Sequence, residues 1–172
     1  TGTVREAPFT GLPPTAEPVG TRMLADHVAR ALPEVLRDIN KTSDNTLART
    51  LFLSLGSLQS DGWLGSRPVA MAAPEDTATR ARLVIQEWFQ RHHIDTQGML
   101  VDNGSGLSRT GRIAPAQLAG VLQAMQQSPW APEFQSSLPI AALDGTMRKR
   151  LLNTPAAARA RIKTGTLKNV VA

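Results

Sequence analysis

Apolar side chains recur along this chain at the three-to-four-residue spacing of helices more often than at the alternating spacing of strands. Val35, Leu36 and Ile39 share one helical face, and Pro33 suits the first helical position, where its missing N–H costs nothing. Ser43-Asp44-Asn45 then interrupts. Leu47, Leu51 and Leu55, with Ala48 and Phe52 beside them, set up a second apolar face that Gly56 is expected to end. The pattern predicts a helix–turn–helix with a polar triplet at its joint. A loop is expected through Trp63, Gly65 and Pro68. From Pro74 to His93, proline and acids at the front and Arg91, His92 and His93 at the back match a helix dipole, and Ala81, Val84, Ile85, Trp88 and Phe89 form the stripe expected to be buried.

Met99-Leu100-Val101 is short and apolar, a strand or extended piece that runs into the turn signal Asp102-Asn103-Gly104-Ser105-Gly106. Ala114-Pro115 opens another predicted helix with Leu118, Val121, Leu122 and Met125 on one side, and a shorter one starts near Pro132. At the front, Pro8, Pro13, Pro14 and Pro18 with Gly11 and Gly20 mark an irregular segment, and Arg22 to Leu32 fits either strand or helix. At the back, Arg161 to Ala172 reads as a strand ending on apolar, β-branched residues. The expected organisation is an irregular opening over residues 1–20, a mainly helical region over 21–158 and a strand over 159–172.

A length of 172 residues, 41% hydrophobic and 19% charged, supplies one core and too little chain for two ordinary domains. The net charge of +5 resides mostly in single scattered arginines, with Arg148-Lys149-Arg150 the longest cluster, a pattern of a solvated surface and not of a nucleic-acid partner. No cysteine is present, which excludes a disulfide framework and a thiolate metal site. The chain starts at Thr1 without an initiator methionine or signal-peptide pattern, and has no apolar run long enough for a transmembrane segment. Together with the strand that stops at Ala172, this leads to the expectation of a segment cut from a longer protein, to be found with the other parts of its parent.

Some chemistry can be set aside. Gly106 and Gly111 have Walker spacing, but Arg112-Ile113 stands where a phosphate-binding Lys-Ser/Thr belongs. Ser105 has glycines adjacent to it and not two residues away, so it is no nucleophile elbow. A tight turn accounts for both. His92 and His93 are consecutive and point to different helix faces, which a metal cannot bridge as it bridges an i, i+4 pair. Trp63, Trp88 and Trp130 are far apart and read as core.

Two tripeptides remain. Ser43-Asp44-Asn45 alone reads as a helix cap, worth about 1 kcal/mol, and Lys163-Thr164-Gly165 alone reads as a strand with a glycine where something packs close. Both together, in this order, should arise by accident on the order of once in a thousand chains of this size. The pair therefore carries information that neither member does. Acyl transfer from a peptide ending in a carboxylate needs a nucleophile, a proton route to the departing amine, a donor for the acyl-side amide and a group for the carboxylate. Ser43 and Lys163 can relay the proton, Asn45 can hold the substrate amide, and Thr164 can hydrogen-bond the carboxylate. Gly165 permits close approach of a substrate strand, and the Thr166 N–H can point into an oxyanion hole.

With these motifs, and with the segments RDINKTSDNTLA, DNGSGLSR and SLPIAALDGTM, the sequence resembles the serine penicillin-binding proteins, and more narrowly the class C D-alanyl-D-alanine carboxypeptidase/endopeptidases of the periplasm. The resemblance runs from about Pro33 to the end. It implies part of a transpeptidase-like α/β (α+β) domain: a mainly helical subdomain carrying the Ser-x-Asn turn plus the Lys-Thr-Gly strand. It also implies an acyl-enzyme mechanism without a cofactor or metal, peptidoglycan peptides ending in D-Ala-D-Ala as substrates, and β-lactams as covalent inhibitors. Ser43, Asn45 and Lys163 take catalytic roles by motif matching, and Thr164, Gly165 and Thr166 take substrate-binding ones.

The family's third motif, Ser-x-x-Lys, is absent: no serine here has lysine three residues later, and the nearest form is Thr146-Met-Arg-Lys149. The resemblance places that motif upstream, in the remaining segments of the parent chain, so these 172 residues should not acylate alone. Two other readings stand beside this one: a non-catalytic, basic, helical module for anionic polymers, and a family member that has lost its nucleophile.

Overall fold

The computed structural model describes residues 30–62, 65–69, 75–167 and 170–171. Contacts separate Thr1–Arg30 from a unit spanning Ala31–Ala172, and every element below lies in the second. The readings made for residues 1–20, most of Arg22–Leu32, Trp63 and Pro74 lie outside the described residues.

Helix α1 (Leu32–Thr42) starts with Pro33 in its first turn and ends at Ser43, whose backbone is left-handed at φ 58°, ψ 49°. The N–H groups of Ser43 and Asp44 both return to the Ile39 carbonyl. Helix α2 (Asn45–Ser57) follows at once, and its N-cap is Asp44, whose carboxylate accepts from the Leu47 N–H at 2.8 Å. Helix α3 (Thr77–Arg91) is capped by Asp76, which accepts from the N–H groups of Ala78 and Thr79 and from the Thr79 hydroxyl. Those bonds, the Thr79 hydroxyl first, hold the Asp76 carboxyl below its usual pKa.

Gly56 does not end α2, which continues to Ser57. It is the point where α2 and α3 touch: a Cβ there would lie 2.0 Å from the Thr77 carbonyl oxygen and 2.7 Å from the Ala81 nitrogen. The glycine is there for close approach, not for a stop. Arg80 straps the contact by donating to the Gly56 carbonyl at 2.7 Å.

The expected loop after α2 is a hairpin. Strands β1 (Leu58–Asp61) and β2 (Gly65–Pro68) pair antiparallel from Leu58↔Pro68 to Asp61↔Gly65. The Met99–Val101 piece forms only one bridge, Leu100↔Arg112. Helix α4 (Pro115–Gln126) buries Gln117 and not its leucines: Leu118 and Leu122 are 49% and 52% exposed. Gln117 accepts from the Ala114 N–H and donates to the carbonyls of Asp95 and Gln97, which tethers α4 to the start of the segment that follows α3. Helix α5 (Ala131–Ser137) packs on α1. Trp130, expected in the core, is 63% exposed.

The chain after α5 is irregular yet firmly placed. Ser137, Pro139, Ala141 and Met147 are buried, with a single 3-10 turn at Gly145–Met147. Ala141 exchanges backbone hydrogen bonds with Ala158 and Ala160, and the Ile162 N–H donates to the Pro139 carbonyl. These bonds lay the terminal segment beside the C-terminal end of α1. The terminal segment is not one strand over 159–172: Lys163–Gly165 fall outside the ladder, and β3 (Thr166–Leu167) pairs with β4 (Val170–Val171) as a hairpin. Within that short ladder Thr166 is opposite Val171 and Leu167 opposite Val170.

Candidate active site

The two polar tripeptides, separated by more than a hundred positions, line one cavity of about 560 Å³, together with the Gly104–Leu107 loop, Thr146 and Arg150. Ser43, Asn45, Lys163, Thr164, Gly165 and Thr166 all border it. A larger cavity of about 920 Å³ lies beside His92 and His93, remote from both motifs. The smaller one is the candidate site because it brings both tripeptides, with the Ser43 hydroxyl and the Lys163 ammonium, onto the wall of one cavity.

Local structure explains each position. Asp44 takes the capping duty that the triplet offers, which leaves the Ser43 hydroxyl and the Asn45 amide for the cavity. Ser43 sits in the left-handed region, costly for a residue with a Cβ and held by the two N–H bonds to Ile39. Across the cleft the Lys163 ammonium donates to the Ser43 hydroxyl at 2.9 Å and to the Thr164 carbonyl at 2.8 Å. Much of the Lys163 side chain remains open to solvent, yet the surrounding walls desolvate its ammonium and draw the pKa below the ordinary 10.5. A lysine so shifted gives up a proton more readily than a free one.

The Gly104–Leu107 loop closes one side. Gly104, at φ 70°, passes so near Phe52 that a Cβ would fall 2.2 Å from the Phe52 Cβ. The Ser105 hydroxyl donates to the Asn103 side-chain oxygen at 2.7 Å and accepts from the Leu107 N–H, so it builds the turn, as its flanking glycines suggested.

Lys41, two residues before Ser43, ties the end of α1 to the segment that carries Thr146. Its ammonium donates to Asp144 and to the Leu138 carbonyl, both at 2.6 Å, and the Asp144 carboxylate accepts from the Ile140 N–H at 2.7 Å. Burial opposes ionisation of Asp144, but the hydrogen bonds from Lys41 and Ile140, with the charges of Lys41 and Arg148, outweigh it and hold its pKa below 3.8. Deeper in, Asn40 donates to the Ser137 hydroxyl at 2.8 Å. Lys41 and Asp144 were not singled out by motif; their signal was the resemblance of the segments that contain them, without a role attached, while Thr146 was noticed only as a near-miss of Ser-x-x-Lys and Arg150 only as part of a basic cluster.

Comparison with known proteins follows this geometry. A penicillin binding protein 4 from Haemophilus influenzae, solved in complex with a β-lactam, superimposes with a TM-score of 0.64 at 28% identity over 80% of this chain and 29% of its own. A second structure of that protein gives the same TM-score. The fold is therefore that of part of a penicillin-binding protein. The family described as D-Ala-D-Ala carboxypeptidase 3 (S13) matches residues 12–172, and this chain belongs to it. A D-alanyl-D-alanine carboxypeptidase of Actinomadura sp. is 29% identical over 155 residues, 87% of this chain and 26% of that protein. A penicillin-sensitive carboxypeptidase A of Dictyostelium discoideum is 33% identical over 147 residues, 83% of this chain and 26% of its own length. The chain thus spans between a quarter and a third of the relatives it matches.

Proposed function

We propose that this chain is the Ser-x-Asn and Lys-Thr-Gly portion of a serine-type D-alanyl-D-alanine carboxypeptidase/endopeptidase that acts on peptidoglycan peptides in the periplasm and is acylated by β-lactams. The observation that carries the reading is the Lys163–Ser43 hydrogen bond of 2.9 Å, which joins the two motifs over one cavity. The remaining segments of the parent chain supply the Ser-x-x-Lys nucleophile.

In the reaction, the serine oxygen of that motif attacks the carbonyl of the penultimate D-Ala. The Thr166 N–H receives the developing oxyanion, and Asn45 holds the acyl-side amide. Ser43, hydrogen-bonded to Lys163, passes the nucleophile's proton to the departing amine nitrogen as the C–N bond breaks. Thr164 binds the carboxylate of the leaving residue, and Gly165 lets the substrate lie against the backbone. Water then adds to the ester, and the serine recovers its proton. A β-lactam follows the first half, its amine staying tethered to the acyl group.

The test is a labelled penicillin incubated with the parent protein. A covalent mass shift that Lys163→Ala weakens or removes is expected. Steep salt-dependent binding to polyanions without acylation would replace this reading with that of a basic binding module.

A further inference from the structure

We infer that Thr146 is a positioning residue for Thr164, and through it a determinant of selectivity for substrates with a free carboxylate on the carbon that bears the leaving nitrogen. The inference rests on the proposed function and deepens it.

Thr146 is the near-miss of the nucleophile motif, followed three residues later by Lys149, and its hydroxyl has another use. It lies 3.0 Å from the Thr164 hydroxyl, on the wall of the same cavity. Either hydroxyl of this pair can be the donor. A carboxylate can only accept, so when it binds, Thr164 must turn its proton to the substrate and take one from Thr146. Thr146 thereby fixes the direction of the pair. Its own place is set firmly. Asp144 is clamped by Lys41 and Ile140, and Gly145 is left-handed at φ 52°, where a Cβ would lie 2.8 Å from the Lys41 carbonyl oxygen. Met147, on the other side, is 3% exposed. Residue 146 is held between a buried side chain and an anchor salt-bridged to Lys41, near the end of the helix that delivers Ser43. Arg150 borders the same cavity and adds a positive charge to its wall.

The experiment measures acylation of the parent protein by a penicillin, whose carboxylate sits on the carbon attached to the ring nitrogen, and by its methyl ester, with covalent mass shift as readout. In Thr146→Val the acid-to-ester rate ratio falls by up to about tenfold, the upper end of what one hydrogen bond between neutral groups contributes. Thr146→Ser restores it. Thr164→Val shows the same fall, and the double variant shows no further one, because both act through one contact. An unchanged ratio in Thr146→Val, or an additive double variant, overturns the positioning role while leaving the proposed function standing. A wild-type parent that takes up neither compound overturns both.

Discussion

The Lys163 ammonium lies 2.9 Å from the Ser43 hydroxyl across 120 positions of sequence. Neither group has a structural duty that demands the other: α1 is ended by backbone bonds to Ile39, and the terminal segment is laid down by Ile140, Ala141 and Ile162. If they form one proton relay, Lys163→Ala and Ser43→Ala each slow penicillin acylation of the parent protein by about 10²–10⁴-fold, the range for a positioned acid or base. The double variant should be scarcely worse than either single one. Stopped-flow or mass-resolved acylation rates decide it, and strictly multiplicative losses would argue for two independent roles.

Asp44 carries the triplet's structural work, apart from the chemistry proposed for Ser43 and Asn45. Its carboxylate caps α2 through the Leu47 N–H, so Asp44→Ala should cost about 1 kcal/mol of stability and Asp44→Asn only a few tenths. Acylation by penicillin should survive in both at far closer to the wild-type rate than in Ser43→Ala. Thermal melts alongside acylation rates test this; an Asp44→Asn variant as slow as Ser43→Ala would assign the carboxylate to catalysis.

The helices were legible because each carries its own local signal: Pro33 and Pro115 in first turns, Asp44 at a boundary, the Ala81–Phe89 stripe at helical spacing. The β1–β2 hairpin was not, since Gln59, Ser60, Asp61, Ser66 and Arg67 show no alternation of apolar and polar positions for a reader to follow. Gly56 was misread because a helix stop and a helix–helix contact look alike until the neighbour is known. Among the site residues, Ser43, Asn45 and the Lys163–Thr166 run were visible as motifs. Lys41 and Asp144 were not, because a lysine and an aspartate 103 positions apart announce no partnership before the fold brings them together; Thr146 was visible only as a near-miss of Ser-x-x-Lys, and its contact with Thr164 was not.

The α2–α3 contact makes a sharp stability prediction. Gly56→Ala would drive a methyl group against the backbone of Thr77 and Ala81, which cannot give way as a side-chain tip can. The expected loss is at the upper end of overpacking costs, on the order of 3 kcal/mol. Gly62→Ala is the control, for a Cβ at Gly62 meets nothing within 4 Å. Denaturant midpoints of the two variants should differ widely; similar values would mean that α2 and α3 do not approach at Gly56.

Asp144 ties stability to pH. Its folded pKa is lowered below 3.8, so ionisation favours the folded state; that contribution is present above the unfolded value and is lost as pH falls through the lower folded one. Asp144→Asn removes the charge at every pH, leaves Lys41 without its anionic partner and should destabilise the parent protein at neutral pH. The gap in melting temperature between wild type and variant should then narrow as the medium is acidified below about pH 4, where the carboxylate begins to take up its proton in the unfolded chain while the folded chain still holds it ionised. Because Gly145 and Thr146 are anchored by the same carboxylate, the variant should also lose part of the penicillin acid-to-ester preference at neutral pH, where Lys163 and Ser43 themselves are untouched. A melting gap independent of pH would show that Asp144 contributes through shape alone.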